Sequence, residues 1–64
     1  MWDVVKQEEV PMPVKVKRFL DDYESLCYRY GLSLAHEDGM GSFVVANYDE
    51  ANIEWAKGAN LGVI

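Results

Sequence analysis

Apolar residues recur at steps of three and four through the middle of the chain: Val16, Phe19, Leu20, Tyr23, Leu26, Cys27 and Tyr30. That rhythm predicts an α-helix with one face turned to a core. Lys17, Arg18, Asp21, Asp22, Glu24, Ser25 and Arg29 fill the opposite face. Gly31 can take a left-handed conformation without a Cβ clash, so the helix, cap included, is expected over 14–31. Past Gly31 the period drops to two. Leu32, Leu34 and His36 alternate with Ser33, Ala35 and Glu37, the pattern of a half-buried strand. Asp38-Gly39-Met40-Gly41 is turn chemistry, and 42–48 is a β-branched and aromatic return strand. With Asp38-Gly39 as the two turn residues, Leu34 faces Phe43, Leu32 faces Val45, and these four cover the inner face of the helix.

Asp49 is a suitable N-cap with Glu50 in the first turn, so a second helix is expected within 49–60. Gly58 hints that it ends early. Leu61, Val63 and Ile64 form an apolar tail that must pack on the domain or meet a partner. At the other end, 1–13 reads as an extended segment or an edge strand around Trp2 to Lys6. Pro11 and Pro13 stiffen the connector, and Pro13 falls where an N1 proline opens a helix. The order (β)-α-β-β-α gives a single small α+β domain, an antiparallel hairpin on a central amphipathic helix with a short second helix. One face of so small a sheet lacks a cover, which points to association through it or along its edges.

Sixty-four residues bury only about 60% of the surface the unfolded chain exposes, so the core is thin. Cys27 is the sole cysteine, so no disulfide framework supplements it, and an unpaired thiol suits a reducing compartment. The first residues lack the layout of a signal peptide, and no stretch approaches a membrane span. The expected location is the cytoplasm. Eleven acids against six bases leave a formal net charge of −5, which disfavours nucleic acid and anionic lipid as direct partners. Lys15, Lys17 and Arg18 gather near the helix start, but Lys17 and Arg18 have Asp21 and Asp22 one turn on and are expected in weak ion pairs. Positive charge in a first turn opposes the helix dipole, so these bases are also the candidates for an anion site.

Cys27 with His36 is the one conceivable nucleophile and base. Cys27 lies on the inward stripe, where cysteine behaves as a small hydrophobe. His36, Glu37 and Asp38 offer ligand atoms, but strand alternation sends His36 and Glu37 to opposite faces and no second cluster completes a metal site. Gly39-Met40-Gly41 lacks the spacing and the lysine of a phosphate loop. No catalytic residue, cofactor or metal is therefore expected. Binding is better supported. Met40 sits at the loop tip between glycines, flanked by Glu37 and Asp38. Tyr28 falls on the outer face of the helix, and Trp2 and Trp55 have no assured place in the core. Such side chains anchor interfaces. An acidic surface favours a basic partner, including a nucleic-acid enzyme whose substrate channel it could occupy. A small-ligand or nucleotide module using Lys15, Lys17, Arg18 or His36 is the alternative.

The runs Phe19 to Gly31, His36 to Phe43 and Asn52 to Trp55 resemble a group of small uncharacterised proteins of tailed bacteriophages, over about residues 16–57. The resemblance carries no site residues. It implies an accessory protein made in the cytoplasm of an infected bacterium, of a kind that binds and disables a host protein such as a CRISPR-type nuclease complex, alone or as a homo-oligomer.

Overall fold

The structure is a computed structural model that describes residues 1–36 and 41–63. It is an α+β domain of two antiparallel hairpins and two helices. In order these are β1 (Trp2–Asp3), β2 (Glu8–Glu9), α1 (Val14–Tyr30), β3 (Leu32–His36), β4 (Phe43–Asn47) and α2 (Glu50–Lys57). The class and the order of the later four elements follow the periodicity.

The N-terminal segment differs from the expectation of one extended stretch or edge strand. Trp2 pairs with Glu9 and Asp3 with Glu8, so the segment folds on itself as a ribbon separate from the main sheet. The cause is local: one carboxylate oxygen of Asp3 accepts from the amides of Val5 at 2.9 Å and Lys6 at 3.0 Å, which turns the chain. Gln7 completes the reversal at φ 56°, and its N–H donates to the Asp3 carbonyl at 2.7 Å. Asp3 is buried, and its backbone bridges in parallel to Leu61. The apolar tail thus packs on the domain at Leu61, while Val63 stays exposed.

Pro13 stands one position earlier than expected, as the N-cap of α1 in extended conformation. It has no side chain with which to cap. Gly31 ends the helix at φ 68°, donates its N–H to the carbonyls of Cys27 and Tyr28, and accepts from Tyr48 N–H at 2.8 Å. That last bond fastens the end of α1 to the end of β4. Asp49 caps α2 through the amide of Ala51 at 2.9 Å. α2 stops at Lys57, and Gly58 donates back to the carbonyls of Glu54 and Trp55.

The β3–β4 register is shifted by two from the expected one: Leu34 pairs with Val45, and His36 with Phe43. A shift of two keeps every side chain on its face. Gly41, shortly before β4, takes up a positive φ of 69°. The expected Asp38-Gly39 turn lies outside the described residues.

The face buried is the opposite of the expected one. Leu32, Leu34, Phe43 and Val45 are all exposed, whereas Ser33 is buried. Ser33 is small and buried, and α2 packs against β3 there. The Ser33 hydroxyl donates to the Asn47 carbonyl at 2.7 Å and accepts from the Asn52 amide at 3.0 Å, so its burial leaves no unmet polar atom. α1 meets β3 along its outer edge, where the Leu34 amide donates to the Tyr23 hydroxyl at 3.2 Å. Among the described residues the buried hydrophobic side chains are Leu20, Cys27, Ile53 and Leu61. A salt bridge from Lys57 to Glu24 ties α2 to α1 at the rim of this core.

Candidate interaction surfaces

The seven-residue apolar stripe of α1 divides in two. Leu20 and Cys27 go inward and Val16 is half-buried, but Phe19 is 68% exposed, Leu26 46% and Tyr30 66%. The reason is the seating of α1: among the described strands and helices it lies against β3 and α2, and these cover one side of a stripe too wide for them. The uncovered side borders two adjoining apolar depressions. One, lined by Tyr23, Leu26, Cys27, Tyr30, Leu32, Ser33, Leu34 and Val45, has a volume of about 250 Å³. The other continues from Tyr23 and Leu26 to Phe19, Asp22, Ser25 and Arg29. Tyr23 stands between core and groove. Burial, and next the neighbouring Cys27 thiol, raise its phenol above 10.0, against the opposing pull of the Leu34 amide.

A second surface lies where the β3–β4 ladder ends. Trp55 reaches from α2 to His36, with ring centroids 5.9 Å apart, and to Phe43 at 5.7 Å. His36 and Phe43 meet edge-on at 6.2 Å. All three rings are exposed, so this triangle faces outward and does not roof the core. Tyr28, on the outer side of α1 as expected, sits elsewhere with its edge against Tyr48, and Trp2 belongs to the N-terminal ribbon. The structure therefore does not bring Trp2, Tyr28 and Trp55 into one patch. Glu37, Asp38 and Met40 lie outside the described residues.

The residues considered for chemistry are dispersed. Cys27 is buried on α1, and His36 is at the far end of β3 with Phe43 and Trp55. Lys17 pairs with Asp21 at 2.8 Å, and this contact is what lowers the Asp21 carboxyl below its ordinary value. Among the described residues, Arg18 and Asp22 form no corresponding salt bridge. Lys15 borders a cavity of about 470 Å³ between the N-terminal ribbon, the start of α1 and the tail, together with Lys6, Asp3, Pro13, Val16, Phe19, Leu61 and Val63. Lys17, Arg18 and His36 take no part in it. Among the described residues, no three metal-ligating side chains gather, and no helix is long and apolar enough to cross a membrane.

Sequence reasoning missed Phe43 as an exposed aromatic, because a β-branched and aromatic run reads as core. It missed Asn52 and Ser33 as a polar link, because neither residue type announces a long-range partner. No protein-family model matches the chain, and comparison with curated proteins and with solved structures likewise finds no match.

Proposed function

We propose that the chain is a non-enzymatic accessory protein that binds a host protein and inhibits it, with the Trp55–Phe43–His36 triangle as its grip. The observation that supports this reading is the outward clustering of three rings at one end of the hairpin. Large aromatic side chains held rigid by a scaffold lose little entropy on binding and dominate interface energetics. The net charge of −5 favours a basic partner, speeding encounter and setting orientation. A partner of that kind includes an enzyme whose nucleic-acid channel the acidic domain would occupy. The phage setting, and a CRISPR-type complex as target, rest on the resemblance over residues 16–57. A photo-crosslinking residue at position 43 should capture one protein from the host lysate, in a salt-sensitive manner, and Trp55→Ala should abolish the capture. Equal capture by the Trp55→Ala variant would remove the triangle from the proposal.

A second reading has its own observation. Lys6 and Lys15 border the 470 Å³ cavity, whose size is in the range of small-molecule sites. A small amphipathic anion would place its charge between the lysines and its apolar part against Val16, Leu61 and Val63. A ligand of this class raises the melting temperature of the native chain, and Lys15→Ala removes the rise.

A further inference from the structure

We infer that two copies of this chain pair through an antiparallel contact of α1 with α1, burying the groove between the outward apolar side of the helix and the Leu32–Leu34–Val45 face of the hairpin. The inference rests on the groove beside α1 and not on the aromatic triangle, whose His36 and Phe43 stand next to Leu34 and Val45 on the same face of the hairpin.

The first support is spacing. Phe19, Tyr23, Leu26 and Tyr30 follow one another by four, three and four residues, the interval at which one helix seats its side chains between those of another. Three of the four are exposed, and among the described residues no other element lies over them. The second support is the shortage of core. Leu20, Cys27, Ile53 and Leu61 are the buried hydrophobics among the described residues, few for an independent domain. Obligate dimers typically show half of a core on each subunit. A standard interface covers about 800 Å² per partner, roughly one-sixth of this chain's 5090 Å².

Charge selects the occupant and its direction. Asp22 and Arg29 stand one heptad apart along the same flank of the seam, and both line the groove. Among the described residues neither forms a salt bridge. In an antiparallel pair, Tyr23 of one copy lies opposite Leu26 of the other, and Phe19 opposite Tyr30. Asp22 of each copy then comes beside Arg29 of the other, twice, about one two-fold axis. A parallel pair would set these charges against the positions of Leu20 and Cys27, which are buried in their own core. Antiparallel alignment also opposes the two helix dipoles favourably. The surface is complementary to itself, which is what an isologous contact requires.

Sedimentation equilibrium on the full chain tests this at a concentration on the order of 100 μM, far above the ~1 μM range of a modest dimer. The expected mass is twice 7.3 kDa. Leu26→Glu should give a single-chain mass with the helical circular dichroism retained. Asp22→Arg should weaken association ~10-fold, because two pairs turn repulsive together. The double variant Asp22→Arg/Arg29→Asp should restore it. Should Leu26→Glu fail to fold, the exchange of two exposed charges still decides the matter. A single-chain mass for the unaltered protein would overturn the inference and leave the groove to a foreign partner. A dimer indifferent to both Leu26→Glu and Asp22→Arg would overturn it equally.

Discussion

The side-chain amide of Asn52 donates to the hydroxyl of Ser33 at 3.0 Å, across the seam between α2 and β3, and that hydroxyl in turn donates to the Asn47 carbonyl at 2.7 Å. Ser33 is only 2% exposed, so water cannot replace a lost partner there. Ser33→Ala should therefore cost about 1–3 kcal/mol in urea unfolding, by leaving the Asn52 amide and the Asn47 carbonyl short of a partner. Asn52→Ala should cost a similar amount. The double variant should lose less than the two singles together, by a coupling of roughly 0.5–3 kcal/mol. Simple additivity would mean that the two side chains do not act on each other.

Charge pairs at the two ends of the pH scale act in opposite senses. The Glu24 carboxylate, hydrogen-bonded to Lys57, raises the lysine above its ordinary 10.5. A raised base contributes stability that is complete below 10.5 and is lost as pH climbs through the higher native value. The raised phenols of Tyr23 and Tyr48 add to the same alkaline decline, since the unfolded chain releases those protons first. Lys17 lowers Asp21, whose contribution is present above 3.8 and is lost as pH falls through the lower native value. The unfolding midpoint should be level at intermediate pH and fall at both extremes. Lys57→Met should lower the plateau and make the alkaline fall shallower without abolishing it. An alkaline limb unchanged by Lys57→Met would dissociate the lysine from that decline.

Asp3 is a buried carboxylate whose role is to turn a chain. Its Oδ1 holds the amides of Val5 and Lys6. Asp3→Ala should strand both amides and cost about 1–3 kcal/mol, while Asp3→Asn, which keeps a carbonyl acceptor, should cost less. Amide hydrogen exchange gives a local readout: Val5 and Lys6 should exchange faster in Asp3→Ala, as should Leu61, whose N–H donates to the Trp2 carbonyl at 2.7 Å.

Helices, hairpin and their order were legible because each rests on a local signal. The three-and-four rhythm marks α1, Gly31 and Asp49 mark its end and the next start, and alternation marks β3. What periodicity does not encode is which apolar side wins when a chain has more apolar surface than partners to cover it. Leu32, Leu34 and Val45 look like core by composition, yet α2 packs against β3 at Ser33, where a small side chain admits the helix. The seven-residue stripe of α1 carried the same ambiguity, since seven apolar positions suit either one wide buried face or two narrow ones. The aromatic triangle was half legible: Trp55 stood out as lacking a place, but its meeting with Phe43 and His36 depends on a register two residues from that implied by an Asp-Gly turn.

Ile53 and Trp55, two residues apart on α2, separate holding the fold from binding a partner. Ile53 is 0% exposed, and truncation to alanine removes buried methylenes and leaves a cavity, at a cost of about 2–5 kcal/mol. In a domain whose total stability is on the order of 5 kcal/mol, that is enough to populate the unfolded state at room temperature. Trp55 is 45% exposed and meets Phe43 and His36, which are themselves exposed. Trp55→Ala should cost well under the ~3–5 kcal/mol of a core tryptophan, and any partner held by the triangle should be lost with the fold intact. Circular dichroism with urea titration measures the first quantity, and crosslinking from position 43 the second. Equal destabilisation by the two substitutions would make Trp55 a core residue, and the triangle would then be a roof with no grip to offer.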